Sequence, residues 1–223
     1  MLKGVLFDFD GTLVDSENIH FHLWNDVLRP YGVCLGRQEY KDSYAGRTTP
    51  HNAADVIRQH RLEVSADELV RRKQDAFHAW LNDTELPLMA YAREAMAFFR
   101  RCGLRLAVVT GSARYGVLLS LERSGLLAMV DTVVTRDDVT DSKPHPESYL
   151  RALGTLKLAA RDCVAFEDTE NGVRSAKAAG VVCCAVRNEF SLSHDFALAD
   201  QVFDGLEEAT RWVALAYGLE TAR

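Results

Sequence analysis

Three short, largely apolar runs punctuate the chain, from Val5 to Phe9, Leu104 to Val109 and Cys163 to Phe166, and each is followed by a polar cluster and then by helix-like periodicity. That alternation is the pattern of buried parallel strands joined by helical crossovers. Two further runs, Thr132 to Thr135 and Val181 to Val186, fit it as well, so the chain is expected to form an open α/β core. Between the first and second runs there is no strand-like stretch. Several amphipathic helical stretches lie there instead, separated by breaks at Pro30-Tyr31-Gly32 and Thr49-Pro50. The interval is far longer than one crossover needs. It predicts a separate helical cap, residues 16–83, inserted into a core made of residues 1–15 and 84–223. Asp83 to Met89, with Pro87, is the expected return linker, and Tyr91 to Arg101 reads as the helix leading into the second strand.

Composition narrows the class without changing this picture. A chain of 223 residues has room for a core plus an insertion, and 48% hydrophobic with 26% charged residues is ordinary for a globular protein. The net charge of −6 argues against a nucleic acid or an anionic membrane as partner, since both demand clustered Lys and Arg. It is compatible with a metal-assisted small anion. No obligate protein partner is evident. The opening MLKGVLFDFDG lacks a secretion-signal pattern, and no segment approaches the ~18 apolar residues of a membrane span, so a cytoplasmic location is expected. Five cysteines contain no Cys-x-x-Cys, and Cys183 and Cys184 would point to opposite faces of a strand, which suits packing. His20 and His22, two apart, do not align on a helix, and zinc is not expected.

In an open parallel sheet, ligands gather outside the carboxyl ends of the strands. The residues directly after the apolar runs are Asp8, Asp10, Gly11 and Thr12; then Thr110, Gly111 and Ser112; then Glu167 and Asp168, with Lys143 opening another helix at Pro144-His145-Pro146-Glu147. Four converging carboxylates would repel and hold protons unless a cation compensated. An all-oxygen ligand set that must also meet a phosphate favours magnesium, with Asp8, Asp10, Glu167 and Asp168 as its ligands. Asp8 could also offer an oxygen as nucleophile, and Asp10 could act as general acid and base. Thr110 with the Gly111 and Ser112 amides would hold phosphoryl oxygens, and Lys143 would neutralise charge shared by Asp8 and the phosphate. Each feature has a plainer reading. Asp10-Gly11 could be a simple turn, Thr110 to Ser112 and Glu167-Asp168 could cap the following helices, and Lys143 could be a surface lysine.

DFDGT at 8–12, VVTGS at 108–112, DSKPHPE at 141–147 and FEDTENG at 166–172 resemble the four ordered motifs of the haloacid dehalogenase superfamily. DSENIHFHLW after the first motif and RRKQDAF in the cap are similar to the β-phosphoglucomutase and sugar-phosphate phosphatase branch. The resemblance implies a Rossmann-like core with an inserted helical cap and a magnesium-dependent phosphatase acting on a small phosphorylated metabolite. Asp8 would then be nucleophile, Asp10 acid/base and backbone-carbonyl ligand, and His20 and Lys73 would face the substrate from the cap. His20 could equally pack beside Trp24, and Lys73, in the run Arg71-Arg72-Lys73, could lie on a solvated face. One departure concerns the Gly-x-x-Arg that mutases of this branch carry for a second phosphate. Here Gly46 is followed by Arg47, Thr48 and Thr49, two positions early for the arginine, and Arg47 could still reach the substrate from the cap. A phosphatase is therefore favoured over a phosphosugar mutase, with a catalytically silent binding module as the reading from outside enzymology.

Overall fold

The computed structural model describes residues 1–219. Its centre is a parallel sheet built from β1 (Gly4–Phe7), β2 (Arg105–Val109), β3 (Thr132–Val134), β4 (Cys163–Glu167), β5 (Val182–Val186) and β6 (Gln201–Phe203), in the spatial order β3-β2-β1-β4-β5-β6. This is the Rossmann order, in which the chain runs outward from β1 in both directions and leaves a crevice at the carboxyl end of the central strand. The period-2 pattern sorts the strands' side chains between two cores. Val5, Phe7, Leu106, Val108, Val164, Phe166, Cys184 and Val186 face one side, over α5 (Ala92–Arg101), α6 (Arg114–Arg123) and α9 (Leu206–Ala216). Leu6, Ala107, Val109, Cys163, Ala165, Cys183 and Ala185 face the other, over α7 (Glu147–Leu156) and α8 (Glu170–Ala178). The adjacent cysteines do pack on opposite faces, as free thiols.

The sheet differs from the apolar pattern at two points. The first strand stops at Phe7, not Phe9, because the Phe9 carbonyl turns to accept the amides of Leu13 (2.9 Å) and Val14 (3.0 Å). The sheet also has a sixth strand, β6, that the apolar pattern does not announce, since its first two residues are exposed.

The interval between β1 and β2 is helical: α1 (Glu17–Leu28), α2 (Arg37–Ser43), α3 (Thr49–His60) and α4 (Ala66–Asp83). Gly32, at φ 71°, closes the turn after Pro30, and Thr49-Pro50 starts α3, where proline is tolerated. These helices bury a cluster of their own, including Trp24, Leu28, Tyr40, Tyr44, Val56 and Leu69. Among the described residues, no helix is long and apolar enough to cross a membrane.

Candidate active site

Strand ends position the polar residues. The ladder continues past β1 and β2 through Asp8 N–H to the Phe166 carbonyl and Thr110 N–H to the Val134 carbonyl, both 2.9 Å, so Asp8 and Thr110 emerge side by side at the crevice. Glu167 ends β4 and Asp168 follows it. Neither caps the next helix: Thr169 does, its Oγ1 accepting from Gly172 N–H at 3.1 Å. Nor does the Thr110-Gly111-Ser112 stretch cap α6, whose first amide, Arg114 N–H, donates to Asp137 at 2.8 Å.

Lys143 is no surface lysine. Its Nζ is buried and donates to three acceptors, Asp8 Oδ1 (2.6 Å), Glu167 Oε1 (2.5 Å) and the Val109 carbonyl (2.8 Å). Burial disfavours the ammonium, but Asp8 and Glu167 outweigh it and hold Lys143 above its usual value, permanently charged. One cation faces three buried carboxylates. Oxygens of Asp8, Glu167 and Asp168 all lie within 4.8 Å of one another. Burial pushes Asp8 up to about 8 against the pull of Lys143, with Glu167 and Asp10 adding to the rise, and burial beside Asp8 and Glu167 pushes Asp168 up as well. Two oxygens of this set, Glu167 Oε2 and Asp168 Oδ1, are buried with no hydrogen-bond partner. Orphaned carboxylate oxygens are costly unless something binds them. A hard divalent cation fits the donors, the charge deficit and the two free oxygens together.

Asp10 departs from the expected quartet. Its carboxylate is not among the three that converge and accepts from Ser16 Oγ (2.6 Å), Ser112 Oγ (2.5 Å) and Thr110 Oγ1 (3.4 Å), with His20 Nε2 at 3.9 Å. Burial would raise it, yet the neighbouring His20, Ser112 and Ser16 outweigh that and hold it below the usual carboxylate range. Three carboxylates converge, then, and the fourth, Asp10, is held among hydroxyl donors.

The cleft, about 310 Å3, is lined on its far side by residues of the helical segment. His20 and Trp24 both line it, one turn apart on α1. Lys73 is only 2% exposed, unlike Arg71 and Arg72, which reach out to Glu68. Its Nζ lies 3.0 Å from His20 Nδ1 and over the rings of Trp24 (5.9 Å) and Phe77 (5.4 Å). Arg47 also lines the cleft, but its guanidinium is engaged by Asp55 (2.7 Å) and the Ser43 carbonyl (2.6 Å).

Several supporting residues escape a reading by motif. Tyr149 OH donates to Glu167 Oε1 at 2.5 Å, and buried Glu17 accepts from Tyr40 OH (2.9 Å) and Gly46 N–H (3.0 Å), tying α1 to the loop before α3. Asn188 donates to Asp168 at 2.8 Å. A second acidic group, Asp141, His145 and Glu147, is largely exposed, and Glu147 there accepts the amides of Thr140 (3.0 Å) and Asp141 (2.9 Å), closing the turn that delivers Lys143.

Comparison with known proteins places this geometry. A profile described as haloacid dehalogenase-like hydrolase matches residues 5–186. The chain is 30% identical to protein CbbY of Cereibacter sphaeroides over 93% of its length and 94% of the relative's. It is 32% identical to validoxylamine A 7'-phosphate phosphatase of Streptomyces hygroscopicus subsp. limoneus, over 95% and 97%. Crystal structures of CbbY from Rhodobacter sphaeroides, one with phosphate and one of a mutant with xylulose-(1,5)bisphosphate, superpose with a TM-score of 0.83 at 28% identity, covering 92% of this chain and 95% of theirs. On that span and these strand-end residues, the chain belongs to the haloacid dehalogenase-like hydrolase family.

Proposed function

We propose that this protein hydrolyses a small phosphomonoester, a sugar phosphate, with magnesium as cofactor and Asp8 as the group that takes the phosphoryl. The observation that carries the reading is the buried set of Asp8, Glu167 and Asp168 around Lys143, in which Glu167 Oε2 and Asp168 Oδ1 have no hydrogen-bond partner. Asp8, Glu167, Asp168 and the Asp10 main-chain carbonyl would hold the ion. When bound it neutralises charge on the phosphoryl oxygens.

The chain's own groups divide the remaining work. An Asp8 carboxylate oxygen attacks phosphorus and the bond to the leaving oxygen breaks, leaving an aspartyl phosphate. Asp10 gives its proton to the leaving oxygen, then takes one from the water that attacks the phosphorus of that intermediate. Thr110 and Ser112, with the Gly111 amide, cradle the phosphoryl oxygens, and Lys143 offsets charge on Asp8 throughout. The cradle bears on Asp10 directly. Hydroxyls that turn to the phosphoryl group leave Asp10, removing donors that stabilise its ionised form, so substrate binding itself prepares Asp10 to carry a proton.

Residues 16–83 act in this reading as a cap that excludes water and reads the substrate, with His20 and Lys73 as polar contacts beside the apolar faces of Trp24 and Phe77. Arg47, matched by Asp55, brings no spare charge for a second phosphate, which supports a phosphatase over a mutase. Relatives with small phosphorylated ligands, validoxylamine A 7'-phosphate and xylulose-(1,5)bisphosphate, support the substrate class. A screen of phosphorylated metabolites and an aryl phosphate, scored by inorganic phosphate with magnesium or with excess chelator, tests it. Magnesium-dependent release from a sugar phosphate is expected; no release from any of them would make this a silent binding module.

A further inference from the structure

The turn after β5 joins the cation carboxylates to the helical segment through three consecutive residues. Asn188 Nδ2 donates to Asp168 Oδ2 (2.8 Å) and to the Gly11 carbonyl (3.0 Å), while its Oδ1 accepts from Phe190 N–H (2.8 Å). Two acceptors on one side and a donor on the other dictate which way the amide points. The turn is locked further by Asn188 N–H to Ser191 Oγ (3.0 Å) and Ser191 N–H to the Asn188 carbonyl (3.2 Å). With Oδ2 held in this way, Asp168 has a fixed orientation and its other oxygen, Oδ1, is the one left without a partner. Gly11 is part of the same lock. It sits at φ 75°, and a Cβ there would overlap both the Asp168 carboxylate and the Asn188 amide.

The next two residues grip α2. The Glu189 carboxylate accepts from Arg37 (3.0 Å) and Lys41 (2.7 Å). The Phe190 ring, 5% exposed, is buried in the helical segment's own cluster, edge-on to Tyr40 at 6.2 Å, with the Arg37 and Lys41 cations over its face. Glu189 and Phe190 thus pack on α2, while Asn188, at the head of the same turn, holds a carboxylate of the cation site.

We propose that Asn188 is a positioning residue for the cation site, and that the 188–191 turn links the seating of α2 to divalent-cation affinity. The inference rests on reading Asp8, Glu167 and Asp168 as the cation ligands. Such outer supports commonly matter by about tenfold to a hundredfold in metal affinity.

Calorimetric titration of magnesium into the full chain, freed of metal by chelator, tests the link apart from turnover. Asn188→Leu, which keeps the bulk and loses both hydrogen-bonding arms, should weaken magnesium binding by about tenfold or more. Glu189→Ala, at an exposed carboxylate, should weaken it by about twofold to fivefold, the scale of an exposed ion pair felt at a distance. Turnover should recover at saturating magnesium in both variants, which a general loss of structure would not allow. Parent-like magnesium affinity in Asn188→Leu overturns the inference. Should that variant not fold, parent-like affinity in Glu189→Ala overturns it. A parent that binds no magnesium overturns the cation reading beneath it, an outcome distinct from either.

Discussion

Burial holds the Lys73 amine down at about 7, only partly offset by the Glu17 and Asp10 carboxylates nearby. A folded-state value below the unfolded one, about 10.4 for a free lysine, means that the unfolded chain binds more protons between those limits. Lys73 therefore costs stability in full at pH 7 and below, and that cost fades as pH climbs from about 7 toward 10. Lys73→Met removes the buried charge and keeps the packing against Trp24 and Phe77. Its thermal midpoint is expected to exceed the parent's at pH 6–7, with the gap closing by pH 10. In the same variant KM for the sugar phosphate should rise by about tenfold or more, the worth of one charge-assisted contact. Thermal melts across pH, paired with KM, check both signs. A lysine that merely packs would raise stability when replaced and leave KM alone.

At the scale of an element, α8 begins directly after the cation carboxylates, and its third residue, Gly172, shows which effect governs there. Glycine to alanine inside a helix ordinarily stabilises by about 1 kcal/mol. Here a Cβ would overlap the Glu167 carboxylate, whose other oxygen is fixed by Lys143 and Tyr149. Gly172→Ala is expected to reverse the usual sign, destabilising by about 1–3 kcal/mol in denaturant titration and costing activity through Glu167. The elements themselves were largely legible in the chain. Apolar runs with period-2 faces located five strands, and breaks at Pro30 and Thr49-Pro50 marked helix limits. What stayed hidden depended on tertiary contact. β6 is three residues long and mostly exposed. Tyr149 reads as one more aromatic on an amphipathic helix until Glu167 is seen above it. Asn188 is legible by position, since it stands two residues past the run Val181–Val186, at the carboxyl end of a strand. That the Asp10 carboxylate binds hydroxyls and does not join its three acidic neighbours could not be read from spacing, since it is set by where Ser16 and Ser112 fall in the fold.

For the whole molecule, the proposed reaction leaves a phosphoryl group on Asp8 that water or a sugar hydroxyl could take. A mutase must grip the far phosphate of a bisphosphate while it reorients, whereas Arg47 is already matched by Asp55. Given β-glucose 1-phosphate and a catalytic bisphosphate, the protein should release inorganic phosphate faster than it forms glucose 6-phosphate. Isomerisation at turnover rate with little free phosphate would reassign it as a mutase and point to Arg47 leaving Asp55. Both fates pass through the same covalent step, so the most direct test is to look for it. A substrate of the screen carrying labelled phosphate, mixed with enzyme and magnesium and quenched in acid within a single turnover, should leave alkali-labile label on the chain. Digestion should place that label on the peptide containing Asp8, and Asp8→Asn should carry none while turning over at least about a thousandfold more slowly, a loss of about 4 kcal/mol in transition-state stabilisation. Rapid phosphate release with no label on the chain, or an Asp8→Asn variant within about tenfold of the parent rate, would contradict phosphoryl transfer through Asp8.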